Sequence, residues 1–171
     1  MKRYLLLIPV IALGIFVFRP TDKPVQSVTA TESVQVPESE QKTVEEPLDA
    51  QTILELVNAE RAKVGVKPLV IDDRLNQSAQ AKCDDMSKFN EWEHVLSNGN
   101  TPETYINRYY GEYEKGAENL ALNTRTPEIL VKSWLNSKTH KESMLSSDYV
   151  KTGFGICYIV DNTSVVNLFV N

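Results

Sequence analysis

Only two histidines and two cysteines occur in the 171 residues, and no Lys/Arg cluster is large enough to track a phosphate backbone. The missing basic patch argues against nucleic acid as a partner. The formal net charge of −5 is mild and spread along the chain. Cys83 and Cys157 are too few and too far apart for a zinc knuckle or a CxxC redox motif. No HExxH or other local metal motif is present, so any metal ligands would have to converge through the fold. Aromatic residues are absent between Thr21 and Ala50, and no internal repeat is visible.

What is present begins with an export signal. Lys2 and Arg3 precede an apolar run over residues 4–18 that Arg19 and Pro20 end. A basic start and a short apolar core form a Sec-type targeting signal. No small-x-small cleavage site follows the run, and no cysteine follows it to carry a lipoprotein anchor. The run falls short of the roughly 20 residues of an untilted span, but snorkelling of the flanking basic stems brings it close. Residues 1–20 therefore read as an uncleaved signal anchor, with a cleaved signal peptide as the alternative. Either way the domain is outside the cytoplasm, at the cell surface and tethered through the membrane, or else secreted.

Residues 21–47 are rich in Thr, Ser, Val, Glu, Gln and Pro and show no periodic apolar face, which describes a disordered spacer. Outside the cytoplasm, Cys83 and Cys157 could form a disulfide worth about 4 kcal/mol by loop closure. Two buried free thiols are the other reading.

Residues 48–171 form the folded domain. Asp49 or Thr52 can cap a first helix carrying Ile53, Leu56, Val57 and Val64 at helical spacing, with Thr52 and Glu55 as a capping box and Gly65 as the stop. Pro68 to Ile71 is extended. Asp72 or Asp73 starts a second helix with Leu75, Ala79, Cys83 and Met86 on one stripe, which turns Cys83 inward. His94 lies in a loop that continues into the turn-forming Ser97-Asn98-Gly99-Asn100. Thr101-Pro102-Glu103 and Thr126-Pro127-Glu128 each open a helix, the later one ending near Ser137. Residues 153–160 and 164–170 alternate around an Asp161-Asn162 turn, giving a hairpin with apolar residues on both faces. The expected fold is α/β (α+β), a three-layer α/β/α sandwich around a small, mainly antiparallel sheet.

Several segments together resemble one family. Val57-Asn58-Ala59-Glu60-Arg61, Pro68-Leu69-Val70-Ile71-Asp72, His94 with the turn after it, Ala117-Glu118-Asn119-Leu120-Ala121, and Trp134-Leu135-Asn136-Ser137 through His140 to Gly153-Phe154-Gly155 are similar in order and type to the CAP superfamily of cysteine-rich secretory, antigen 5 and pathogenesis-related 1 proteins. The resemblance covers essentially the whole domain and implies the same sandwich. It also implies a cleft where His94, Glu118 and His140 meet. Many eukaryotic members carry a second glutamate where this chain has Ser137, so the four-residue version of the cleft is not expected.

Two imidazoles and a carboxylate can hold zinc or another divalent cation and leave a position open for water. By themselves His94 reads as a solvated loop residue and His140 as a charge at a helix C-terminus. Glu118 could serve as a general base or orient His140, while Asn119 would fix backbone. Ser137 and His140 invite a serine-hydrolase reading, but no nucleophile-elbow glycines surround Ser137. Trp92, Tyr105, Tyr109, Tyr110 and Tyr113 are candidates for the cleft wall or for ordinary packing. Three functions are open: a binding module for a divalent cation or small ligand, a metal-dependent hydrolase acting on peptide or envelope material, and a structural protein displaying loops to a surface partner.

Overall fold

The computed structural model describes residues 48–171, so the expectations for 1–20 and 21–47 lie outside the described residues. Among the described residues, no helix is long and apolar enough to cross a membrane.

Local signals set most boundaries. Helix α1 (Ala50–Lys63) starts at Asp49, whose carboxylate accepts the Thr52 amide at 2.9 Å. Thr52 thus sits inside the first turn, and the expected Thr52–Glu55 capping box gives way to the Asp49 cap. A short strand β1 (Val70–Ile71) leads to α2 (Asp73–Phe89), capped by Asp72 and closed by Asn90 in the left-handed region. Helix α3 (Pro102–Tyr109) follows Thr101, and α4 (Pro127–Asn136) follows Thr126, each with proline in its opening turn as the triplets imply.

Two elements were not anticipated. Residues Gly116–Leu122 form strand β2. Residues Lys138–Leu145 form a separate helix α5, with Ser137 in its N-cap position at the point where α4 ends. Strands β3 (Lys151–Ile159) and β4 (Asn162–Val170) complete the sheet. The hairpin turn falls on Val160 and Asp161, at φ of 45° and 62°, and not on Asp161-Asn162. Two successive positive φ values suit a right-twisted two-residue hairpin.

The sheet order is β1-β3-β4-β2, with β1 parallel to β3 and the other two pairs antiparallel. Apolar residues from alternate positions fill two cores. One joins Leu120, Val166 and Leu168 to Leu75, Ala79 and Met86 of α2 and to Tyr105 and Ile106 of α3. The other joins Ala121, Phe154, Val165 and Phe169 to α1, α4 and Met144 of α5. This is the expected α/β/α sandwich.

Three features tie the layers together. A Cβ on Gly153 would lie 2.2 Å from the Leu75 carbonyl carbon, and one on Gly155 would lie 2.4 Å from that of Ala79. The Gly-x-Gly segment thus exists to let α2 lie directly on β3. Cys83 and Cys157 form a disulfide across the same contact, with Cα atoms 5.7 Å apart, which settles the cysteines against free thiols. On the opposite layer the fully buried Arg61 donates to the main-chain oxygens of Lys67, Met144, Ser146 and Tyr149 at 2.7–3.0 Å. Its guanidinium pins the end of α5 against α1, and its charge is spread over four carbonyl dipoles.

Candidate functional site

Strand β2 organises the site because successive residues point to opposite layers. Glu118 faces the α2 side, as Leu120 does, and Asn119 faces the α4–α5 side, as Ala121 does. The adjacent Glu-Asn pair therefore reaches both layers from one strand.

The Glu118 side chain is only 2% exposed. Its Oε1 lies 2.6 Å from Nδ1 of His94 and accepts from Nζ of Lys82 at 2.9 Å. The same ammonium is 2.8 Å from Oε2, close enough for an ion pair although too poorly directed to count as a second hydrogen bond. Lys82 is itself fully buried and donates at 2.6 Å to the main-chain oxygen of His94. Burial pushes its pKa down, and Glu118 opposes that shift.

His94 sits on the loop between α2 and α3. That loop is held by the buried Leu96, by Glu91 accepting the Ser97 amide, and by the Leu96 amide on Asn100 oxygen. The backbone of His94 is thus fixed while 59% of its side chain faces solvent. The hydrogen bond to Glu118 raises the His94 pKa.

His140 enters from the other layer. It lies in the first turn of α5, the reverse of the C-terminal position expected for it. Asn119 donates from Nδ2 to the His140 main-chain oxygen at 2.9 Å, so Asn119 does fix backbone. Burial lowers the His140 pKa, and the charge of nearby His94 lowers it further. Glu118 orients His94 and not His140.

A groove of ≈ 380 Å³ runs beside His140, walled by Leu120 to Leu122 of β2, by Ser133, Trp134 and Ser137, and by Trp92. Trp134 donates from Nε1 to the Leu120 oxygen at 3.3 Å, which holds one wall in place. Of the aromatic candidates, Trp92 lines the groove. Tyr105 is buried in the α2–α3 core with its hydroxyl donating to Asp85 at 2.8 Å, and Tyr110 and Tyr113 pack against that core. A larger hollow of ≈ 490 Å³, lined by residues of α5 and the turn after it, contains neither histidine. Ser137 has its hydroxyl 3.4 Å from Thr139 Oγ1, which gives no support to a Ser-His pair.

Lys82 was missed at the level of sequence. Its signal was a charged residue on the apolar stripe of α2, between Ala79 and Met86. Lys82 also decides how the donor set suits a cation. Among the described residues, no group of three or more His, Cys, Asp and Glu side chains converges in metal-binding geometry. The Glu118 carboxylate is committed to Lys82 and His94, so a cation here would be held by imidazole nitrogen, with Glu118 behind it as the orienting acid.

The fold and this Glu-His constellation define an α/β/α domain of the cysteine-rich secretory class. The sequence profile of the cysteine-rich secretory protein family, CAP, matches residues 54–170, and the chain belongs to that family. Among its relatives, Bacillus subtilis YkwD is 38% identical over 103 residues, which are 60% of this chain and 40% of YkwD. The chain thus matches well under half of that relative's length. An outer surface protein of Borrelia burgdorferi has a similar structure, with a TM-score of 0.64 and 26% identity over 74% of this chain and 98% of that one. An extracellular SCP-domain protein of Bacillus anthracis gives a TM-score of 0.64 at 22% identity, covering 71% of this chain and 39% of that one.

Proposed function

We propose that this CAP domain works outside the cytoplasm as a binding module whose cleft, formed by His94, Glu118 and His140, takes a divalent cation through its two imidazoles, with the adjacent groove receiving a small apolar ligand. The reading is carried by one observation: Glu118 lies 2.6 Å from His94 Nδ1. A carboxylate that accepts the Nδ1 proton leaves Nε2 with its lone pair available, which is the arrangement that supports metal-bound histidines. Burial favours the neutral form of His140 that ligation requires. The Glu118 hydrogen bond instead favours protonation of His94, so a cation has to displace a proton from His94 Nε2 and binds more tightly as pH rises. A cation held there would polarise a bound water or ligand oxygen.

Localisation outside the cell is supported by the export signal in residues 1–20 and by the outer-surface and extracellular descriptions of the Borrelia and Bacillus anthracis proteins. Zinc is the first cation to test because mixed imidazole sites suit it. NaASP2, a protein of the same fold at a TM-score of 0.52 and 14% identity, has been solved with Zn²⁺. Binding is favoured over hydrolysis because the Glu118 carboxylate, the acid that would serve as general base, is neutralised by Lys82.

Isothermal titration of the purified full chain with Zn²⁺ tests the reading. Saturable binding at one site, lost in both His94→Ala and His140→Ala, is the expected result. Absence of binding by the wild type refutes it.

A further inference from the structure

Lys82 is a charged side chain with no exposure, placed where apolar residues precede and follow it on the same helical stripe. Such a group persists only where its partners are fixed, since an ammonium removed from water costs several kcal/mol unless paired. Its partners are three oxygens: His94 main-chain O at 2.6 Å, Glu118 Oε1 at 2.9 Å and Glu118 Oε2 at 2.8 Å. Two of these belong to the acid behind His94, and the third belongs to His94 itself. The ammonium therefore holds both ends of the His94–Glu118 contact, the loop backbone that sets the imidazole's origin and the carboxylate that sets its tilt.

We propose that Lys82 is the positioning residue of the cleft: it locks His94 as the Nδ1–H tautomer and keeps the Glu118 carboxylate from becoming a third cation ligand. This rests on the cation reading above. The ammonium hydrogen-bonds Oε1 and lies 2.8 Å from Oε2 without a directed bond, so it is the buried charge pairing that a turn of the carboxylate toward a cation would abandon. The cleft is then an imidazole-only donor set, selective for borderline cations such as Zn²⁺ or Ni²⁺ over oxygen-seeking Mg²⁺ and Mn²⁺. The three-ligand set expected from two imidazoles and a carboxylate included Glu118, and Lys82 removes it from that set.

The test uses the full chain and four variants. Natural-abundance or labelled ¹⁵N NMR of the His94 ring, without metal, reports the tautomer. Wild type and Glu118→Gln, in which Lys82 still holds the acceptor, are expected to show dominant Nδ1–H. Lys82→Met and Lys82→Met/Glu118→Gln are expected to lose that dominance. In zinc titrations Lys82→Met should bind at least about tenfold more tightly than wild type as Glu118 joins the ligand set, and should acquire Mn²⁺ binding. The double variant should lose both gains. A folded Lys82→Met protein that keeps the Nδ1–H tautomer, or that gains no zinc affinity, overturns the proposal. If Lys82→Met fails to fold, the ring tautomer in the double variant decides in its place. If wild type binds no zinc, the cation reading falls while the tautomer comparison still decides the role of Lys82. A Lys82→Arg variant that restores Nδ1–H with wild-type zinc affinity would add support, because a structural defect alone would not reverse with the charge.

Discussion

The ammonium of Lys82 and the carboxylate of Glu118 meet at 2.8 Å with neither side chain more than 2% exposed. Removing one member of such a pair strands the other in a dry interior. Glu118→Ala is therefore expected to destabilise the domain by about 3–5 kcal/mol. Lys82→Met/Glu118→Leu should cost less than the sum of the two single changes, which chemical denaturation measures as a coupling energy. Additive effects would show that the two charges do not depend on each other.

The two histidines should titrate on opposite sides of the ordinary value of 6.5. Glu118 raises the His94 pKa in the folded state, so the stability from this contact is complete below about 6.5 and is lost as pH rises through the folded pKa. Burial lowers the His140 pKa, so its contribution is present above about 6.5 and is lost as pH falls through the folded value. An NMR titration should place His94 above His140, and Glu118→Gln should bring His94 down. His94→Ala should let His140 rise. The opposite order of titration would contradict the geometry.

Gly153 has no room for a side chain, because a Cβ would overlap the backbone of Leu75 and Asn76. Gly153→Ala must push α2 off β3, at about 1–3 kcal/mol or more of overpacking cost. Thermal denaturation should show a clear loss for Gly153→Ala. Alanine at Gly65, where nothing lies within 4 Å, should act only through its φ of +73°.

Val160 is β-branched and sits at φ 45° in a hairpin turn, followed by Asp161 at 62°. Such a residue is poorly suited to the left-handed region. Replacing the pair by Asn-Gly supplies the residues this turn prefers and should stabilise the domain by about 0.5–2 kcal/mol. A fall in melting temperature would mean that Val160 makes a contact that outweighs the turn strain.

Where local chemistry decided a boundary, the sequence could be read directly. The Thr-Pro-Glu triplets open α3 and α4, and the stripe of Leu75, Ala79, Cys83 and Met86 faces the sheet. The hairpin strands were legible from alternation, while their turn was displaced by one residue because Val160 is an improbable turn former. Strand β2 was not legible, since Gly, Ala, Glu and Asn have little strand preference and its pairing with β4 is a tertiary choice. Helix α5 is short and weakly patterned, and its N-cap residue Ser137 also closes α4. That hid the position of His140 at a helix start. The resemblance put His94 and Glu118 in one site and the structure brings them into contact. Lys82 lay outside that comparison, and only the fold brings it to the acid.

The most direct measurement is an anomalous difference map at the zinc edge from crystals of the full chain grown with Zn²⁺. The imidazole reading predicts one peak bonded to nitrogens of His94 and His140 at about 2.0–2.1 Å, with Glu118 still on Lys82 and His94 Nδ1. No peak between the histidines, or a peak with Glu118 oxygen in the coordination shell, would contradict it.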